Sequence, residues 1–145
     1  MIWLLRHGDA EGSAADDDAR QLTEKGRRQA QAAGEALGAL EVSIDACLTS
    51  PKVRARDMAR IVCRELGVDV QEAEALRGGD FDPVELASGR RDVLLVGHEP
   101  DFSRAIQATT GARVQLKKGG LAAIEDGTLI ALLGPALLRA IAGAR

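Results

Sequence analysis

The chain has 145 residues with 46% hydrophobic and 28% charged side chains, which suits one globular domain, spanning residues 1–145, that buries roughly two-thirds of its unfolded surface. One Trp, two Phe and no Tyr leave the core to Leu, Val, Ile and Ala and provide no stacking platform for single-stranded nucleic acid, and the formal net charge of −3 also argues against a nucleic-acid partner. Cys47 and Cys63 form neither a CxxC pair nor a disulfide framework, the first apolar run ends at Arg6, and no stretch approaches the roughly 18 apolar residues of a membrane span; the expectation is a cytoplasmic protein without signal peptide or membrane segment.

Residues 2–5 read as a first buried strand. A polar loop from Asp9 to Gln21 follows, with an acidic patch at Asp16, Asp17 and Asp18. Thr23 suits a helix N-cap and Glu24 the positive end of the helix dipole; the apolar stripe Ala30, Ala33, Leu37, Leu40 then predicts a helix. Residues 44–48 read as a second strand. Pro51 fits the first turn of the next helix, which carries Val53, Met58, Ile61, Val62 and Leu66 and stops at Gly67. A short strand is expected over 68–70, and a loop with one short helix near 83–87 over 71–91. Residues 92–96 form another strand and 100–109 a helix. Residues 121–124 and 128–132 flank a turn at Glu125-Asp126-Gly127, the pattern of a hairpin, and 135–142 form a last helix. Strands alternating with helices predict an α/β sandwich: a mostly parallel sheet with an antiparallel hairpin at its edge.

The chain has two histidines, and each directly follows an apolar strand: His7 in Arg6-His7-Gly8 and His98 in Gly97-His98-Glu99-Pro100. Parallel strands of one sheet end on one edge, where open α/β sheets bind ligands. Arg54, in Ser50-Pro51-Lys52-Val53-Arg54-Ala55, falls in the first turn of a helix near that edge, where the helix N-terminus attracts anions. Taken singly, each histidine could be a strand-end residue bonded to a loop carbonyl, and Arg54 a solvated side chain. Their coincidence at one edge, beside Arg6, points instead to a phosphoryl pocket. A neutral imidazole is a competent nucleophile toward phosphorus, and guanidinium groups are planar forks for phosphate oxygens. Lys117-Lys118-Gly119-Gly120 reads as a solvated turn, and Arg56 and Arg60 as helix surface.

These segments occur in a familiar order. Arg6-His7-Gly8, the helix start Leu22-Thr23-x-x-Gly26-x-x-Gln29-Ala30, Ser50-Pro51-x-x-Arg54-Ala55 and Gly97-His98-x-Pro100 resemble the histidine phosphatase superfamily, which includes phosphoglycerate mutases and many phosphatases. The short length and the Arg6-His7-Gly8-Asp9-Ala10 opening resemble its smallest branch, the SixA-type phosphohistidine phosphatases, over about residues 1 to 133. The resemblance implies a three-layer, phosphoglycerate-mutase-like sandwich. It also implies His7 as a transiently phosphorylated nucleophile, with Arg6, Arg54 and a protonated His98 on the phosphoryl oxygens. Arg20 matches an arginine before the helix start in SixA-type proteins and is expected near the phosphate or the partner; Gly8 lets the backbone pass close to the pocket. No cofactor or metal is implied.

A phosphate ester leaves as an alkoxide and needs a general acid. The candidates here are Glu99, directly after the second histidine, and Asp80 and Asp82 in Gly78-Gly79-Asp80-Phe81-Asp82, none a clear match. Phosphohistidine leaves as an imidazole that solvent can protonate, so an ambiguous acid favours that substrate. The expected partner is a phosphorylated protein, such as a histidine-phosphotransfer domain, met by a monomer. The alternatives are a small-molecule or phosphoserine/threonine phosphatase, and a non-catalytic phosphoprotein-binding module.

Overall fold

Side chains alternate across a strand, and in β1 (Ile2–Arg6) this divides the core between two helical layers. Trp3 and Leu5 pack with Ala30, Ala33 and Leu37 of α1 (Glu24–Ala39), Met58 and Val62 of α2 (Val53–Leu66) and Leu138 of α5 (Pro135–Gly143). Leu4 faces the other way, toward Phe102 and Ile106 of α4 (Asp101–Thr110), with α3 (Pro83–Leu86) bringing Leu86 to the same side. Between the layers lies a six-stranded sheet of order β3-β2-β4-β1-β5-β6, completed by β2 (Ala46–Thr49), β3 (Val70–Glu72), β4 (Val93–Gly97), β5 (Leu121–Glu125) and β6 (Thr128–Leu133). The computed structural model describes residues 1–144; Arg145, last in the expected 1–145 domain, lies outside the described residues.

β4 is buried along its whole length and pairs parallel with both β1 and β2. β5 runs against the rest, pairing antiparallel with β1 and β6. The antiparallel element is therefore the expected hairpin, with β6 as the edge strand. Its turn places Asp126 and Gly127 at φ 49° and 73°, the pair of positive values that a twisted two-residue hairpin requires.

Several boundaries differ from the sequence reading, each for a local reason. β2 starts at Ala46 rather than 44, because Asp45 N–H turns to the Asp92 carbonyl, before the ladder begins. β3 starts at Val70 rather than 68, because Val68 N–H still closes the end of α2 on the Cys63 carbonyl behind the left-handed Gly67. Pro51 precedes the α2 N-cap, Lys52, rather than sitting in the first turn. Leu40, expected in the α1 stripe, is 46% exposed at the C-cap. Thr23 caps α1 as expected, accepting the Gly26 N–H. Among the described residues, no helix is long and apolar enough to cross a membrane.

The loop after β1 is seated directly on α1. A Cβ on Gly26 would lie 2.0 Å from the Asp9 carbonyl oxygen. Gly26→Ala should therefore displace that loop or the helix and cost about 2–3 kcal/mol, measured by urea unfolding.

Candidate active site

The β1–β4 register sets Arg6 opposite Gly97, so the chain leaves both strands at one level. His7 N–H donates to the Gly97 carbonyl at 3.0 Å, and Ser50 N–H to the Val96 carbonyl at 2.9 Å. Three adjacent strand ends thus place His7, His98 and Ser50 side by side. The two imidazole centroids are 5.2 Å apart with planes tilted by 60°, and both residues are buried.

Hydrogen bonds decide which nitrogen of each ring is protonated. His7 Nδ1 lies 2.8 Å from the Gly8 carbonyl. A carbonyl only accepts, so Nδ1 carries the proton and Nε2 keeps its lone pair. Burial pulls the His7 pKa down to about 4; the Gly8 bond opposes this, and the charges of Arg54, Arg6 and Arg20 add to it. At neutral pH His7 is an uncharged imidazole with a free Nε2, the form a nucleophile needs.

His98 has the opposite arrangement. Its Nε2 lies 2.7 Å from Ser50 Oγ, which already accepts the Lys52 N–H at 3.1 Å. A hydroxyl oxygen accepts twice, so Ser50 can either donate to Nε2 or accept from it; donation leaves the ring proton on Nδ1. That Nδ1 is buried without a hydrogen-bond partner. Burial first, then the charges of His7, Arg54 and Lys52, lower the His98 pKa to about 3, with Asp17 acting against them. In the free pocket His98 is therefore neutral; the expected cationic form belongs to the phosphoryl-bound state.

The arginines follow one plan. Arg6 donates from Nη1 to the Leu116 carbonyl at 2.8 Å, and Arg54 from Nη1 to the Asp17 carbonyl at 2.9 Å. Each keeps a buried Nε–H without a partner. Buried unpaired donors are uncommon in folded proteins. Here Arg6 Nε, Arg54 Nε and His98 Nδ1 all belong to residues near His7, whose ring feels the charges of Arg54 and Arg6 and packs 5.2 Å from that of His98. Arg56 Nε is also unpaired, but its head turns to Asp57 and Glu72.

The other expected residues take varied positions. Arg20 is fixed by Nε to the Glu11 carbonyl at 2.6 Å and by Nη1 to Asp17 Oδ1 at 3.2 Å, near enough for its charge to act on His7. Gly8 also serves loop–helix packing: a Cβ there would meet Gln29 Oε1 at 2.8 Å and the Gly26 carbonyl at 2.9 Å. Glu99 is tied to backbone. Its Oε1 accepts the Ser103 N–H at 2.7 Å, and its Oε2 accepts the Leu116 N–H at 3.2 Å and the Ser103 hydroxyl. Because the Leu116 carbonyl holds Arg6, Glu99 supports Arg6 from behind rather than facing the pocket as a proton donor. Asp82 caps α3, accepting the Val84 and Glu85 N–H groups, and Asp80 lies beside it near Phe81.

Sequence reasoning gave no role to Ser50, Lys52, Asp17 or the Leu116 carbonyl. Ser50 lay within a recognised motif, whereas nothing local marks a backbone carbonyl at 116 as an arginine anchor. The Lys117–Gly120 turn is also more than solvated: Gly119 N–H donates to the His7 carbonyl and the Gly120 carbonyl accepts the Arg6 N–H. Among the described residues, no group of three or more His, Cys, Asp and Glu is placed to hold a metal ion; the positive charge here comes from guanidinium and ammonium groups.

Comparison with known proteins gives the same architecture. The model of the histidine phosphatase superfamily (branch 1) matches residues 2–93, and the chain belongs to that superfamily. An uncharacterized protein of Picosynechococcus is 34% identical, over 87% of this chain and 85% of its own length. The mitochondrial serine/threonine-protein phosphatase Pgam5 of Drosophila ananassae is 37% identical over 49% of this chain, which spans only 25% of that protein. A solved structure of the protein histidine phosphatase SixA with tungstate superposes with a TM-score of 0.81 at 23% identity, over 93% of this chain and 97% of that one. Within the superfamily the architecture is that of the SixA-type branch.

Two measurements test this electrostatic picture. If His7 is the nucleophile, it attacks unprotonated; with its pKa near 4, kcat/KM should fall as pH drops through about 4 and show no limb near the ordinary histidine value of about 6.5, which a pH–rate profile on the free enzyme checks. Ser50→Ala should release the His98 tautomer, seen as altered imidazole 15N shifts, and weaken inorganic phosphate binding about tenfold in titration calorimetry.

Proposed function

We propose that the chain is a phosphohistidine phosphatase that works through a phospho-His7 intermediate. The observation carrying this reading is the free Nε2 lone pair of a neutral His7 set among buried donors with no internal partner, Arg6 Nε, Arg54 Nε and His98 Nδ1. A pure binding site has no need of the lone pair. A phosphoryl group held by those donors presents its phosphorus to Nε2, and developing charge on its oxygens meets dipoles and charges already oriented.

In the first step the Nε2–P bond forms and the substrate P–N bond breaks. The electron pair leaves on the substrate imidazole nitrogen, which takes a proton from solvent. In the second step a water oxygen bonds to phosphorus, the Nε2–P bond breaks, and the water proton returns to solvent as phosphate leaves. Neither step needs a strong acid from the protein, which agrees with Glu99 being committed to the Ser103 and Leu116 N–H groups. The partner in this reading is a phosphorylated protein in the cytoplasm, a histidine-phosphotransfer domain being one example, met by a monomer. The tungstate held by the SixA relative is a tetrahedral oxyanion of the kind this donor set would accept. A second reading, a phosphoserine/threonine phosphatase, is favoured by the partial likeness to Pgam5.

The test is phosphate release from a phosphohistidine-bearing protein, a phosphoserine peptide and para-nitrophenyl phosphate. Wild type should turn over phosphohistidine faster than either ester, and His7→Ala should lose roughly a thousandfold or more. Faster ester turnover would move the assignment to a general phosphatase.

A further inference from the structure

The pocket carries an anion of its own. Asp17, in a short 3-10 turn (Asp17–Ala19), sends its carboxylate to Arg54 Nη2 at 3.3 Å, Arg20 Nη1 at 3.2 Å and Lys52 Nζ at 3.8 Å. These are the guanidinium already placed at the anion site and two cations beside it. The carboxylate takes only the Nη2 end of Arg54, since Nη1 goes to the Asp17 backbone carbonyl and Nε has no partner in the protein.

The carboxylate is not needed to hold the two arginines in place. Arg54 is fixed at Nη1 by the Asp17 backbone carbonyl at 2.9 Å and is itself buried. Arg20 is fixed at Nε by the Glu11 carbonyl at 2.6 Å. Both anchors are neutral and survive loss of the side-chain charge. What the carboxylate adds is a negative charge shared with the ligand's own arginine. It is 60% exposed, so it has room to yield when a phosphoryl group arrives.

Resting on the reading of this site as a phosphoryl pocket, we propose that Asp17 is an internal competing anion that lowers the affinity of the pocket for inorganic phosphate and speeds release of that product. The chemistry gives a reason for such a device. A pocket of buried donors around His7 holds the phosphate product as readily as the substrate, and binding shared by ground state and transition state does not raise kcat. A carboxylate beside Arg54 disfavours any phosphate held there, the product included, and so shortens its stay. Asp18 serves as the control: it shares Lys52 at 3.9 Å and pairs with Arg77, but it makes no contact with Arg54.

The experiment is titration calorimetry of the full chain with inorganic phosphate at pH 7 and low salt, on wild type, Asp17→Asn, Asp17→Ser and Asp18→Asn. Both Asp17 variants keep the backbone carbonyl that anchors Arg54, and the thermal transition of each checks folding. Loss of a unit charge a few ångström from the ligand, in a solvent-like dielectric, should tighten phosphate binding about fivefold in the Asp17 variants and less than about twofold in Asp18→Asn. With para-nitrophenyl phosphate, the inhibition constant for phosphate should fall in the Asp17 variants by the same factor. Unchanged or weaker phosphate binding in both Asp17 variants overturns the proposal and makes the carboxylate a strut. Equal tightening in Asp18→Asn also overturns it, since net charge alone would then suffice. Failure of wild type and all variants to bind phosphate would instead overturn the reading of the pocket, and the proposal with it.

Discussion

The site depends on the register between β1 and β4. Parallel pairing of Arg6 with Gly97 makes both strands end together, so the next residue of each, His7 and His98, emerges at the same level. A one-residue slip would reverse the face of every side chain on the strand. That slip is prevented by the core: Trp3 and Leu5 belong to one hydrophobic cluster, and Leu4, Val93 and Leu95 to the other. Burial on both faces of the sheet therefore fixes the separation of the two imidazoles more firmly than any contact between the rings.

Around this pair the cations are held by neutral anchors. The main-chain carbonyls of Leu116 and Asp17 each take one Nη1, which orients the guanidinium without cancelling its charge. Glu99 completes one of these anchors at a distance, since its carboxylate takes the Leu116 N–H whose carbonyl grips Arg6. The result is a pocket whose strongest donors remain unsatisfied by the protein, an arrangement that costs stability and is retained where a ligand completes it. Burial and the neighbouring cations keep both histidines uncharged, so the positive charge of the pocket rests on the guanidinium and ammonium groups.

The loop after His7 shows how closely packing and chemistry are joined. Asp9 N–H is received by Gln29 Oε1 at 2.8 Å, and Thr23 ties itself to Asp9 through both its backbone N–H and its hydroxyl. Gly8 and Gly26 let loop and helix touch at backbone distance. The helix start that the sequence announces through Thr23 and Glu24 is thus also the platform on which the loop after His7 rests.

The α/β alternation, the hairpin turn, the Thr23 cap and the placement of His7, His98, Arg6 and Arg54 at one sheet edge were legible in the sequence, because each is encoded within a few residues by hydrophobic period or turn chemistry. Boundaries slipped where a backbone bond to a distant partner decided them, as with Asp45 to Asp92. The ring tautomers, the neutrality of His98, the commitment of Glu99 to Leu116 and the placement of Asp17 on Arg54 were decided only by tertiary structure. Apart from the His7 tautomer, set by the adjacent Gly8 carbonyl, each depends on a partner 17 to 48 positions away or on the depth of burial, and local sequence encodes neither.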